Sequence, residues 1–332
     1  MHCHLLVPRL ASFVADVARH EIVPEGLAAL LKYGVSTETA GKSTEDWLCA
    51  AFRLERQQDD PVAPFSLLGD GGAPGDSYWL RADPVTIQLM RNRLVLLADD
   101  DNAPSPLEAA ELVAALNRHF SPEGLQFSAP HPRRWYLRLP AVPRLQTHSL
   151  AQANGRNIQH FLPFGEDGAY WRKLLNEAQI LLHAHPRNVA REAAGKPVLN
   201  SIWPWGGGIL NGALSAPYSQ IIADGPLARG LTIAAALPWT ALPACLPTAV
   251  GKFTDAPLFV LEATRDTPQQ CLEHWDQDWF KPALAALRQG KIKRLSLFSP
   301  DEPATLEATL SRLDLWKFWR GAFRRIDTPS AR

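Results

Sequence analysis

The stretch from His183 to Gly208 reads HAHPRNVAREAAGKPVLNSIWPWGGG. It gathers His185, Asn188, Arg191, Asn200, Trp203, Trp205 and the run Gly206-Gly207-Gly208 into one short window. A turn that only reverses the chain needs one glycine and a proline at most. This window instead reads as a helix end feeding an apolar strand that ends in a glycine loop. Such a loop presents backbone N–H groups to an anion. Its glycines reach dihedrals closed to other residues and let a ligand approach the main chain. Arg191 follows Asn188 by three positions on a short helix, so the two share a face. A guanidinium fork suits phosphate or carboxylate. Asn200, inside an apolar strand, requires buried partners. His185 stands before Pro186, where it either joins the site or binds the last carbonyls of the preceding helix. A structural reading stands beside each of these: a turn under a packed tryptophan, and a surface arginine paired with Glu192 or another carboxylate.

Other chemistry is sparse. Arg81-Ala82-Asp83-Pro84 ends a strand. It reads as an ion pair with a turn at Pro84, or as Arg81 facing the ligand site. His2 with His4, and His183 with His185, are the close histidine pairs. Strand spacing puts His2 and His4 on one side. Neither pair has acidic neighbours at the spacing of a two-metal site, so no metal is expected. The run matches no GxGxxG or GxxxxGK[ST] phosphate loop, and no GxSxG or HExxH occurs. Trp275 and Trp279 lie one helical turn apart and read as core; His274 and Asp278 read as a surface pair.

The elements that must carry these residues can be read from pattern. His2–Val7 is a short apolar strand. Residues 24–34 and 43–56 are helical, the second opening with Ser43 and Asp46 as a capping box. Residues 57–75 collect Pro, Gly and Asp and read as a loop and boundary. Residues 77–82, 93–98 and 134–139 are strands. Ser105-Pro106-Leu107-Glu108 opens a helix with every N-terminal signal present. Residues 168–185 form an amphipathic helix ended by Pro186. Strands at 198–203, 220–223, 258–262 and 292–298 then alternate with helices at 226–236 and 268–289. That alternation predicts an α/β fold with a largely parallel sheet flanked by helices. The β-β-α-β texture of residues 76–163 predicts a smaller inserted α+β domain, leaving 1–75 and 164–332 as a discontinuous main domain.

The chain has 332 residues, 46% hydrophobic and 20% charged. That is an ordinary globular composition with ample core. Basic and acidic residues balance at 34 each, so no general attraction to nucleic acid or membrane is expected. The run Lys317–Arg325 is locally basic and reads as a solvated helix face. Four scattered cysteines, no signal peptide and no long apolar span predict a cytoplasmic protein with reduced thiols.

YWLRADPV at Tyr78–Val85, RWYLRLP at Arg134–Pro140 and the motif Leu181–Gly208 together resemble the RpfE-type regulatory proteins of bacteria, from about Tyr78 to the C-terminus. That family is in turn distantly similar to archaeal-type, cofactor-independent phosphoglycerate mutases. The shared pattern is His185-Pro186, Asn188, Arg191, Gly195, Asn200, Gly206–Gly208 and then IIADGPLARGL at Ile221–Leu231. The resemblance implies an alkaline-phosphatase-like α/β domain with a smaller insertion. In the mutases two divalent metals such as manganese and a hydroxyl nucleophile do the chemistry. Their metal ligands include an Asp near the N-terminus and Asp-His pairs near the C-terminus. Here the N-terminal strand runs His4-Leu5-Leu6-Val7-Pro8-Arg9, and His274 is the one histidine after His185.

Three readings follow. The first is a non-catalytic relative that keeps an anion or phosphoester pocket near His185, Asn188, Arg191, Asn200, Trp203, Trp205 and Gly206–Gly208, with Arg81 facing it, in a regulatory or ligand-binding role without cofactor. The second is an active metal-dependent phosphomutase or phosphatase with atypical ligands. The third is a protein-interaction module using surface tryptophan.

Overall fold

The computed structural model describes residues 1–17, 23–98, 102–212, 214–246, 255–262, 267–302 and 304–316; the basic run Lys317–Arg325 lies outside them. Two compact units appear. One is residues 1–52 with 215–332, the other residues 53–214.

The first unit begins with β1 (His2–Leu6), α1 (Leu10–Val17) and α2 (Glu25–Tyr33), then β2 (Val35–Ala40) and α3 (Thr44–Ala51). Ser43 caps α3 by accepting the Asp46 N–H, as its spacing predicts. β2 escaped the sequence reading because its polar residues VSTETA carry no apolar face.

In the second unit, α4 (Val62–Gly69) stands where a loop was expected. Every residue of it but Leu68 is buried, so it lacks the polar face that announces a surface helix. Then follow β3 (Tyr78–Met90), β4 (Arg93–Leu97), α5 (Pro106–Phe120), β5 (Gln126–His131), β6 (Arg134–Leu139), α6 (Leu150–Ala153), α7 (Gly168–His183), α8 (Pro186–Ala193) and β7 (Ser201–Gly208). β3 runs straight through Pro84, where a turn was expected. Its ladder to β6 ends at Arg81 and its ladder to β4 starts at Thr86, while β7 pairs with it throughout 79–85. Pro84 therefore faces an open edge on one side, which is where a strand tolerates proline. The sheet is antiparallel, in the order β4-β3-β6-β5 with β7 against β3.

The chain then re-enters the first unit, where the Ser215 N–H meets the Phe52 carbonyl at 3.4 Å. β8 (Gln220–Ile222), α9 (Pro226–Ala234), β9 (Trp239–Thr240), β10 (Pro257–Val260), α10 (Pro268–Trp275), a π turn at Asp276–Phe280, α11 (Lys281–Arg288), β11 (Arg294–Ser299) and β12 (Ala304–Ser311) complete it. The sheet order is β2-β12-β11-β1-β10-β8-β9, parallel from β11 to β9 and antiparallel at β12 and β2. This is the expected α/β architecture, a mostly parallel sheet flanked by helices; the second unit adds an antiparallel sheet of its own. Trp275, Trp279 and Phe280 pack with Cys3, Leu5, Phe259 and Leu297 in the core of the first unit. His274 and Asp278 pair at 3.0 Å.

The expected boundaries at 75/76 and 163/164 both fall inside the second unit, and the insertion is nearly as long as the unit it interrupts. The cause is the β3–β7 ladder, which binds the central motif to the antiparallel sheet. Trp171, Leu174 and Leu182 of α7 and Ile202 of β7 share one core with Leu80, Leu112 and Trp135.

His2 and His4 do share one side of β1. Their ring centroids are 3.9 Å apart. His2 Nε2 meets Ser296 Oγ at 2.9 Å, and His4 Nδ1 meets the Pro257 carbonyl at 3.2 Å. Tyr218 stands edge-on to His4 at 5.1 Å.

Candidate functional site

Gly206–Gly208 do not form a loop. They are the last residues of β7, and all three are buried. A side chain on Gly207 would collide with Tyr78 Oη, and one on Gly208 with Pro61. Gly206 has φ +63°, and a Cβ there would lie 2.9 Å from Val62 Cβ. Close packing, not a ligand, demands the glycines. Their N–H groups are engaged too: Gly206 donates to Thr147 Oγ1 at 3.2 Å and Gly207 to the Asp59 carboxylate. The anion at this backbone is the protein's own. Burial pushes the Asp59 carboxyl up, against hydrogen bonds from Thr147 and Gly207.

The polar residues upstream are likewise committed. Asn188 bridges α7 to the following chain: its amide donates to the carbonyls of Leu182 and Leu199 and accepts the Leu199 N–H. Asn200 clasps both backbone groups of Ile87. His185 caps α8 by accepting the Arg187 N–H. Trp203 Nε1 donates to the His148 carbonyl at 2.9 Å. Arg191 is 3% exposed. Its Nε donates to the Pro197 carbonyl at 3.0 Å, Nη1 to Glu108 at 3.1 Å, and Nη2 to the carbonyl and side chain of Asn102. Of the carboxylates open to it, Glu108 and not the neighbouring Glu192 is the one used. An Arg191→Ala variant is expected to lose about 2 kcal/mol of folding stability. Urea unfolding checks the loss, and phosphate binding is expected to match the wild type.

Arg81 is different. β3 and β6 place it opposite Tyr136, and alternation puts Arg81 with Asp83, and Arg134 with Tyr136, on shared faces. That alternation in RWYLRL was the signal for Arg134 and Tyr136, which the sequence reading left out of the site. Arg81 Nε and Nη2 donate to Asp83 Oδ1 at 3.1 and 2.7 Å. Asp83 also accepts Trp205 Nε1 at 2.8 Å and the Trp135 N–H at 3.3 Å. The guanidinium lies 5.2 Å from the Tyr136 ring centre and 5.3 Å from that of Trp205, both within cation–π range. Among the described residues Nη1 meets no acceptor. Arg81 is 7% exposed, and it lines a cavity of about 220 Å³ with Asp83, Asn102, Arg133, Arg134 and the apolar Pro84, Leu97, Leu150 and Leu199. Arg134 is fixed by a bidentate bond to Asp70 at 2.6 and 2.8 Å, and Tyr136 Oη donates to the same carboxylate at 2.7 Å. Burial alone would raise the Asp70 carboxyl, but bonds from Arg134 and Tyr136 outweigh it and hold it below its ordinary range. Arg81, Arg133 and Arg134 in the cavity wall, with Asp83 and Asp70 holding two of them in place, give the cavity the fork-shaped donors that suit an anion. The structure thus brings Arg81 and Trp205 together, and it directs His185, Asn188, Arg191, Asn200 and Trp203 to other partners.

The family resemblance implies two metals, and in open α/β sheets ligands sit beyond the carboxyl ends of the strands. There β1 is followed by Val7-Pro8-Arg9, β8 by Ala223-Asp224, β10 by Leu261-Glu262, and β11 by Pro300-Asp301. Asp224 accepts the Leu242 N–H, and Asp301 accepts those of Ser12 and Glu302. No Asp stands in Val7-Pro8-Arg9 at the end of β1. Among the described residues no three His, Cys, Asp or Glu side chains stand close enough to hold an ion. Two divalent cations need more donors than the described residues of this edge offer. These residues do not fit the pair, and no step is routed through it.

Among the described side chains no tryptophan is exposed. Trp47, Trp135, Trp171, Trp203, Trp205, Trp275 and Trp279 are buried and Trp79 and Trp239 half-buried, so these positions give a tryptophan-based interaction surface no support. Among the described residues no helix is long and apolar enough to cross a membrane.

No family model matches the chain. A stretch of 54 residues is 41% identical to the 2,3-bisphosphoglycerate-independent phosphoglycerate mutase of Methanosarcina mazei, covering 16% of this chain and 14% of that protein. Over 128 residues the chain is 29% identical to a Geobacter sulfurreducens protein named "Probable 2,3-bisphosphoglycerate-independent phosphoglycerate mutase", covering 37% and 31%. The chain thus spans less than a third of the length of these curated relatives. Among solved structures, the PH0037 protein from Pyrococcus horikoshii matches with a TM-score of 0.52 at 12% identity, over 93% of this chain and 87% of that one. A cofactor-independent phosphoglycerate mutase from Thermoplasma acidophilum gives a TM-score of 0.43 at 15% identity, over 93% and 89%. The chain shares the fold of the PH0037 protein, and stretches of it are distantly similar in sequence to 2,3-bisphosphoglycerate-independent phosphoglycerate mutases.

Proposed function

We propose that this protein holds a small phosphoester or related anion at Arg81 and acts by binding it, as a cytoplasmic regulatory protein of the RpfE type. The observation that carries this reading is the buried Arg81, which lines a cavity with Arg133 and Arg134 and commits only Nε and Nη2 to Asp83. Asp83 holds the guanidinium by one edge, and Trp205 and Tyr136 flank it. A fixed cation of this kind needs no rearrangement to meet an anion, so little ordering cost opposes binding. The pocket replaces the one expected at Arg191 and the glycines, whose groups face protein partners.

The test is calorimetric titration of inorganic phosphate, 2-phosphoglycerate and 3-phosphoglycerate into the wild type, Arg81→Lys and Arg191→Ala. Binding is expected in the wild type, weakened at least ~10-fold by Arg81→Lys, which keeps the charge but loses the planar fork. Equal binding by wild type and Arg81→Lys overturns the reading. The similarity to mutases favours one rival, an active metal-dependent phosphomutase. Mutase or phosphatase turnover in manganese, abolished by a chelator, would establish that rival instead.

A further inference from the structure

Sheet edges present unpaired backbone N–H and C=O groups, and folded proteins blunt them. Three of the four outermost strands here are blunted. β9 is only two residues long. β4 is met by the segment after α6: Gly155 N donates to the Leu96 carbonyl at 2.8 Å, and Ala98 N to Asn154 Oδ1 at 2.9 Å. β5 carries Pro130, and the Asn117 side chain binds both backbone groups of Phe127. Even β7 has its glycine N–H groups bound by Thr147 and Asp59.

β2 has none of these devices, and its one charge is Glu38. Its six residues, Val35 to Ala40, are all exposed. It pairs with β12 in unbroken register from Val35↔Thr309 to Ala40↔Ala304. It carries no proline, lysine, arginine or bulge, and among the described residues nothing meets its outer edge. A strand with both faces in water and a single neighbour gains little against the entropy of ordering it. A second strand on the open edge supplies the missing half.

We infer that this edge pairs with the same strand of a second copy, antiparallel, about a two-fold axis at Thr37. A two-fold axis makes any such interface self-complementary. Centred on Thr37, the pairs are Thr37 with Thr37, Ser36 with Glu38, and Val35 with Thr39. The Ser36 hydroxyl then faces the Glu38 carboxylate of the other copy, as a donor to it. Centred on Glu38, two carboxylates would oppose each other, which is unfavourable. The sequence is thus compatible with itself in the first register and frustrated in the neighbouring one. The result is one continuous sheet across two copies.

The full chain in a Cys245→Ser background, which removes the exposed native thiol, provides the test. Thr37→Cys is expected to form an intermolecular disulfide on mild oxidation, because cross-linking needs Cα atoms about 4.4–6.8 Å apart. Val35→Cys, four positions out of register with its own copy, is expected not to. Without oxidation, light scattering should show a concentration-dependent dimer. Ser36→Glu should weaken it by roughly 2- to 10-fold and Ser36→Lys tighten it by a similar factor, since each change places two charged pairs opposite Glu38. All four positions are exposed, so folding is not at issue. A monomer at every concentration tested overturns the inference. So does cross-linking of Val35→Cys as readily as Thr37→Cys, which would mean that copies meet elsewhere.

Discussion

Replacing Asp83 with alanine is expected to cost about 3–5 kcal/mol of folding stability, more than any other single substitution at the Arg81 cavity. Asp83 is 1% exposed and takes four hydrogen bonds, two from Arg81 and one each from Trp135 and Trp205. Its loss leaves the buried Arg81 charge without its carboxylate. It also leaves the Trp205 N–H and the Trp135 N–H without an acceptor. The double variant Asp83→Ala, Arg81→Met should recover part of the loss, because removing both charges costs less than orphaning one. Chemical denaturation of the four proteins in this cycle measures both quantities. A midpoint for Asp83→Ala equal to the wild type would show that the pair does not hold this part of the sheet.

The second large effect is a dependence on pH. Burial pushes the His4 imidazole down to about 4 from an ordinary value of 6.5, helped by the charge of His2 and opposed by the hydrogen bond to Pro257. The unfolded chain therefore binds a proton that the folded chain refuses over this interval. Stability conferred by the neutral ring is fully present above about pH 6.5, falls as pH drops towards 4, and is flat below that. The whole drop is about 3 kcal/mol. A His4→Phe variant, whose ring fits between His2, Tyr218 and Phe298, is expected to lose most of that slope. Unfolding midpoints of the two proteins at about pH 7, 5.5 and 4.5 check it, and parallel curves would count against the assignment.

Much of the scaffold was legible because local signals were strong. Ser105-Pro106 with Glu108, Ser43 with Asp46 and His185-Pro186 mark helix starts through bonds made within one turn. The parallel sheet followed from the alternation of strand and helix. Features set by distant partners were not legible. Pro84 is a strand residue only because β6 and β4 leave one edge free beside it. α4 is helical with almost no polar face because the second unit encloses it. Arg191, Asn188 and Asn200 looked like ligand groups since a buried polar residue must be satisfied, and the sequence cannot say whether by a ligand or by the chain. Arg191 chose Glu108 and Asn102, some eighty to ninety positions away. Arg81 differs because Asp83 engages only one edge of its fork.

The backbone leaves the first unit after Phe52 and returns at Ser215, and those two residues are joined by a main-chain hydrogen bond. Exit and entry share one doorway. A segment attached through adjacent ends adds almost no closure entropy to its host, whatever its length. The host can therefore be sealed with a few residues, and the excised piece keeps its whole sheet. Gain, loss or exchange of that module is thermodynamically cheap, which makes such a scaffold open to acquiring a new ligand without rebuilding its core.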